Sequence, residues 1–353
     1  MLQKRNFFLL SFLLISFTQS IFAQKDSAYN VHYFKTIPNI SIRALEVLSD
    51  SKAWFAANRG VWGYTEDAGK TWHIDSIKVD SVYLHFRSMA VLNDSTVLLL
   101  SIASPAYMFK TTNKGKTWML VYKDTNKNIF FDCMKFADSN NGVAIADPID
   151  GFFQIIFTED GGATWEKSLN KDIVHALPGE ACFASSNSNI AINGHNLWFV
   201  TGGMRSRIYH YGDKSEHFEV FDTPLPEGGQ LTGIFSVDFT DELTGVIAGG
   251  NYEKADSSFV SLAITYDGGK TWTPIKGNKP FFGSCVKFGN EDDVYVTGGA
   301  GTFRYNSKAV KIYEVKDKSG ASLKFNTLRF SPSKKNLWLA GDKGSIALIS
   351  LSH

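Results

Sequence analysis

Eight arginines occur in the sequence, and five of them recur in one kind of place. Arg43, Arg59, Arg87, Arg205 and Arg207 fall, with Asp132, Asp147 and Glu180, just before or between short apolar runs. Guanidinium groups gathered at one point hold a carboxylate through paired hydrogen bonds. Two carboxyl groups about 5–9.5 Å apart are the equipment of glycoside hydrolysis. The same residues could instead pair with one another and only stiffen loops. Tyr252, in the polar run GGNYEKADSSF (249–259), offers a stacking platform for a sugar or peptide, as do Trp62, Tyr107 and Phe152. Which outcome holds depends on whether the fold makes these segments converge.

The elements that would position them are read from a repeat. TEDGGATW (158–165) has close copies in TEDAGKTW (65–72), TTNKGKTW (111–118) and TYDGGKTW (265–272). The closing residues Trp72, Trp118, Trp165 and Trp272 are separated by 46, 47 and 107 positions, the last about two units. YGDKSEHF (211–218) fills that gap as a degenerate copy, with Asp213 kept and Phe218 in place of Trp. A period near 50 residues marks a modular ring or array. Each unit reads as four short strands, as in SIRALEVLS, KAWFAANRG, VWGYTE and WHIDSI. Two later units lack the octapeptide but keep the rhythm, giving seven that start near 41, 85, 130, 180, 233, 282 and 324.

Aligned first strands place Ala44, Ser88, Cys133, Cys182, Ser236, Cys285 and Thr327 at one small position, each followed by a large apolar residue. That pattern suits strands converging on an axis. The seventh unit ends after its third strand, SIALISL, and VHYFKTI (31–37) can supply the fourth, closing the ring and covering an edge. The expectation is an all-β, seven-bladed β-propeller of four-stranded antiparallel blades over residues 24–353, closed by the N-terminal strand.

Within the octapeptide, Asp67, Asn113, Asp160 and Asp267 can accept backbone N–H groups, the glycine supplies a left-handed turn position, and Trp72, Trp118, Trp165 and Trp272 return as apolar anchors. No copy carries a full set of oxygen ligands, so no metal is expected. These residues build.

The motif S/T-x-D-x-G-x-T-W resembles the Asp-box, or BNR repeat, of sialidases and sortilin-type receptors. LWLAGDKGSI (337–346) and WFAANRGVWGYTEDAGKTW (54–72) are similar to photosystem II assembly-factor-like propellers. The resemblance implies Asp-boxes on the face opposite the ligand site, and a protein partner. Sialidases carry their first substrate arginine in an R-I-P motif; KTIPNISIR (35–43) has Thr36 there, which argues against that activity.

Residues 1–23 have the pattern of a secretory signal: Lys4 and Arg5, the apolar run FFLLSFLLISF, then TQSIFA. Its removal would leave 330 residues with 34 basic and 35 acidic side chains, which gives no electrostatic case for nucleic acid or anionic membranes. The three cysteines share the small position and read as buried filler rather than a disulfide or a zinc site. No cofactor motif is present. The functional expectation is an exported, monomeric, non-catalytic scaffold, periplasmic or extracellular, that holds a protein or glycan at one face of the ring. Its ligand contacts are expected from Arg43, Arg59, Arg87, Arg205, Arg207 and Tyr252; the alternative is a glycoside hydrolase using Asp132, Asp147 and Glu180.

Overall fold

A computed structural model of the chain describes residues 28–36, 38–167, 174–212, 215, 217–290 and 292–351, so the expected signal segment and Asp213 lie outside it. The described residues contain no helix and form seven four-stranded antiparallel blades arranged as a β-propeller. Innermost strands are Ile42–Val47, Phe86–Val91, Phe131–Phe136, Ile190–Asn193, Thr232–Phe239, Cys285–Phe288 and Thr327–Phe330. Val31–Lys35 pairs antiparallel with Ser345–Ser350, Val31 opposite Ile349, and closes blade seven. The residues just before it, Ala28–Tyr29, run parallel to Lys311–Asp317 of blade six. One N-terminal segment thus ties two blades together and covers the open edge of each.

The octapeptides make the same turn four times. Thr65 Oγ1 donates to Asp67 Oδ1 at 2.9 Å and accepts the Gly69 amide at 2.9 Å. Asp67 also accepts the Thr71 amide at 2.9 Å and the Thr71 hydroxyl at 2.6 Å. Asp160 repeats this with Thr164 at 3.0 and 2.7 Å, and Asp267 with Thr271 at 2.9 and 2.6 Å. Asn113 keeps the geometry by donating Nδ2 to Thr117 Oγ1 at 2.8 Å.

The tryptophan that follows reaches across to the preceding blade. Trp72 lies 6.3 Å from Trp338 of blade seven, and Trp118 lies 5.2 Å from Trp62 of blade one. Trp165 joins Leu98 and Met108 of blade two, and Trp272 joins Trp198 and Ile208 of blade four. In blade four Phe218 takes this role, 5.5 Å from Phe199 in a cluster with Cys133 and Phe153 of blade three. Each turn therefore staples its blade to the one before, burying large rings between sheets. Trp62, expected at the mouth, belongs to this seam: a Cβ on Gly115 would stand 2.1 Å from its ring.

Blade four departs from the expected register. Its first strand is Ile190–Asn193 rather than a strand starting near 180. Glu180–Ala181 pairs with Gly202–Gly203, which meets blade five where Gly202 faces Gly233. Cys182 is thus not an inner-strand residue; it is buried between blades three and four. The small–large pair Cys182–Phe183 imitates a first strand in sequence, but the segment 182–189 leaves the sheet and enters the central channel.

There its polar groups are met by the other blades. Ser88 Oγ donates to Asn187 Oδ1 at 2.6 Å, and Asn187 Nδ2 donates to Glu46 at 3.0 Å. Ser186 Oγ donates to the Ser284 carbonyl at 2.5 Å, and Ser188 and Ser236 hydroxyls lie 2.7 Å apart. Thr327 Oγ1 and Arg329 Nη2 donate to the carbonyls of Ser186 and Asn187 at 3.0 and 2.7 Å. A buried non-helical segment is tolerable because these partners meet much of its polar surface, the Asn189 side-chain amide being left without one among the described residues. The ring has a plug, not an open bore.

Candidate functional site

The face opposite the octapeptide turns is formed by segments entering each first strand and those joining second to third strands. Four first strands carry a β-bulge near that face. The register shifts skip Arg43, Arg87, Asp132 and Phe235, in blades one, two, three and five. A bulge residue is released from the ladder and its side chain re-aimed. The same local device in four blades turns these four side chains toward the mouth of the channel.

Arg43 and Arg87 come together there over the plug. Arg43 Nη1 donates to the Ser185 carbonyl, Nη2 to the Tyr252 hydroxyl, both at 3.4 Å, and Nε to Ser41 Oγ at 3.2 Å. Arg87 Nη1 donates to the Ala184 carbonyl at 3.4 Å. These are long bonds to neutral oxygens. Among the described residues neither guanidinium forms an ion pair, whereas Arg205, Arg207, Arg304 and Arg329 all do. Burial and the neighbouring Arg43 both push the Arg87 guanidinium below its ordinary pKa. Burial, then Arg87 and Arg43, likewise lower His85.

Beside the arginines lies a cavity of about 390 Å³, whose walls include Asp147, Phe183, Leu231, Phe235 and Tyr252. Phe183 stacks on Phe235 with ring centroids 4.0 Å apart, and Phe282 meets Phe235 edge-on at 4.7 Å. Tyr252 lies 5.6 Å from Phe282 and remains 42% exposed at the rim. The cavity therefore has a cationic wall facing an aromatic one.

Beneath Arg87 sit two carboxyl groups. Asp132 has no exposed surface, and neither of its oxygens meets a donor in good geometry, although the Ala184 amide and the Asp147 carboxyl lie beside it. Burial first, and then Asp147, hold it well above the usual carboxylate range. Asp147 accepts the Cys182 amide at 2.9 Å; burial nonetheless pushes it up to about 6.

The remaining expected site residues stand elsewhere. Glu180, with no exposed side-chain surface, accepts Arg207 Nε at 3.1 Å and Nη2 at 2.5 Å, Thr201 Oγ1 at 2.6 Å and the Tyr209 hydroxyl at 3.0 Å. Its lone pairs are spent on a closed structural network. Arg205 pairs with Asp222 at 2.7 Å, and Arg59 lies 5.8 Å from the Tyr83 ring. The wall of Phe183 and Phe235, backed by Phe282, is not signalled by any motif in the sequence. The signal available was positional: the residue before the small position reads Arg43, Arg87, Asp132 and Phe235 in four units.

No family model matches the chain, and no curated protein matches it. Two similar solved structures share its fold. One, described as YCF48 bound to D1 peptide, superposes with a TM-score of 0.68 at 14% identity, over 92% of this chain and 98% of that one. The other, YCF48 from Cyanidioschyzon merolae, has a TM-score of 0.63 at 14% identity, over 91% and 98%.

Proposed function

We propose that the protein is an exported, non-catalytic scaffold of the Asp-box type that holds a segment of a partner protein at the mouth of the ring. The observation that carries this reading is the pair Arg43 and Arg87, free of ion pairs and facing an aromatic wall across a cavity of about 390 Å³. A carboxylate there gains charge-assisted hydrogen bonds from two partly desolvated guanidinium groups, while a neighbouring apolar side chain covers Phe235 and Tyr252. The similar structure with YCF48 bound to D1 peptide supports a protein occupant on this architecture. The hydrolase reading finds less support, because Asp132 has no exposed surface to meet a sugar and Glu180 is bound to Arg207.

The test is a peptide-array screen with purified wild-type protein and an Arg43→Ala/Arg87→Ala variant, run beside a panel of chromogenic glycosides. Peptides that place a carboxylate next to an apolar residue should bind wild type and lose at least about tenfold in the variant. Equal binding by both proteins, or glycoside turnover lost with Asp147→Asn, would overturn the reading.

A further inference from the structure

We infer that the mouth pocket takes up a carboxylate together with a proton, the proton being held by the Asp132–Asp147 pair under Arg87. The inference rests on the carboxylate-binding reading above and adds to it a second, obligatory ligand.

The argument begins with Asp132. A fully buried carboxyl whose oxygens meet no donor in good geometry loses its hydration, and burial together with Asp147 holds it well above the usual carboxylate range although Arg87 and the Ala184 amide oppose the shift. Its natural state is protonated, with Asp147 alongside. Asp147 differs in two respects: it lines the cavity, and the Cys182 amide supports its anionic form. The pair thus behaves as one unit that carries either one or two protons near neutral pH.

The charges facing that unit come from five blades. Blade one contributes Arg43, blade two His85 and Arg87, and blade five the Tyr252 hydroxyl. Blade four contributes Cys182, whose thiol is held up by burial and by Asp132, Asp147 and Glu180, while Glu180 itself is neutralised by Arg207. Asp342 of blade seven is bound to Ser41 at 2.5 Å and acts on Arg43 from behind. Glu180 is paired with Arg207, Asp342 is a carboxylate held by Ser41 beside Arg43, and burial and the arginines push His85 towards its neutral form, so the charge that varies in the pocket is that of the carboxyl unit. A second proton on the pair makes the pocket one unit more positive, whatever its fixed charges.

An anion in this cavity meets Asp147 at close range in a desolvated setting, so the two negative charges repel. Binding therefore raises the proton affinity of the pair, and by reciprocity protonation raises the affinity for the anion. The sign is definite. Affinity is highest where Asp147 is protonated and falls as pH rises through its titration near 6. A ligand that lifts this titration by about one pH unit binds about tenfold less tightly above it than below.

The experiment is calorimetric titration with N-acetylphenylalanine as an aromatic monocarboxylate, and with its neutral amide as control, from about pH 5 to about pH 8. Buffers of different ionisation heat report protons taken up. Wild type should bind the acid about tenfold more tightly at the low end, with net proton uptake just above the Asp147 titration; the amide should show neither. Asp147→Asn, an uncharged isostere, should bind the acid with pH-independent affinity and no uptake. Binding of the acid to wild type with no proton uptake overturns the inference alone, and needs no variant to fold. Uptake that survives in a folded Asp147→Asn protein also overturns it. Failure of the acid to bind at any pH overturns the carboxylate reading together with it.

Discussion

Replacing Trp165 tests what the repeated turn is for. Its indole is 9% exposed and lies 5.8 Å from Phe136, edge to face, within the cluster that joins blade two to blade three. Truncation to alanine removes about 200 Å² of buried aromatic surface and leaves a gap between two sheets. Such changes cost about 3–5 kcal/mol. One feature lowers that figure: Nε1 has no hydrogen-bond partner among the described residues, so the wild-type ring already carries a buried, unsatisfied donor worth about 1 kcal/mol. Trp165→Ala should therefore cost about 3 kcal/mol. Trp165→Phe, which keeps a ring and removes the orphaned N–H, should cost under about 1.5 kcal/mol.

Urea unfolding followed by circular dichroism measures both values, and an unchanged denaturant slope would show that the comparison is of stability alone. Peptide binding at the mouth, on the opposite face, should be retained in the folded fraction of each variant. The reasoning fails if Trp165→Ala unfolds at the wild-type midpoint, or if Trp165→Phe is as damaging as Trp165→Ala. It also fails if either variant stays stable and loses binding.

Gly115→Ala should be more damaging than its size suggests: φ is +78° and the new Cβ would stand 2.1 Å from Trp62, so a loss of at least about 2 kcal/mol is expected by urea unfolding. Glu180→Gln leaves Arg207 in a half-buried site without its counter-charge, and should lower stability by about 3 kcal/mol in thermal or chemical melts without altering ligand affinity at the mouth. The turn carboxylates predict an acid limb. The Thr71 hydroxyl and amide hold Asp67 down at about 2, and the Thr164 amide and hydroxyl hold Asp160 lower still. With folded values below the unfolded 3.8, their contribution is present above about pH 4 and is lost as pH falls towards 2. Asp67→Asn/Asp160→Asn should flatten that limb in a pH series of melting temperatures. The three buried thiols should resist iodoacetamide until the protein is unfolded, and mass spectrometry should find each of Cys133, Cys182 and Cys285 unbridged.

How far the molecule could be read in advance follows from the range over which each feature is decided. The octapeptide turn is local. Thr65, Asp67, Gly69 and Thr71 make their hydrogen bonds to one another across four residues, so side-chain chemistry alone specifies the conformation. The number of blades follows from the four-strand rhythm, which continues through two units that lack the octapeptide, and ring closure from a third strand left without a fourth at one end and a spare strand at the other. Blade four differs because Cys182–Phe183 satisfies the small–large pattern while the segment that follows is held from other blades, by the Ser88 hydroxyl on the Asn187 side chain, the Ser284 carbonyl on the Ser186 hydroxyl and the Thr327 hydroxyl on the Ser186 carbonyl. No local signal distinguishes a strand from a buried plug whose partners come from other blades.

The site divides the same way. From the sequence one can say that arginines and carboxyl groups cluster in segments entering and linking the inner strands, and that the octapeptides carry the residues of a tight turn. Which of them meet is decided by the closed ring and by four bulges that turn Arg43, Arg87, Asp132 and Phe235 to one point. Arg205, Arg207 and Glu180 come from segments of the same kind, yet they are consumed by partners within reach. Charge type and spacing are properties of the chain. The free or neutralised state of each charge, and the burial that raises Asp132 and Asp147 above the usual carboxylate range, exist only once seven sheets have closed around a common axis.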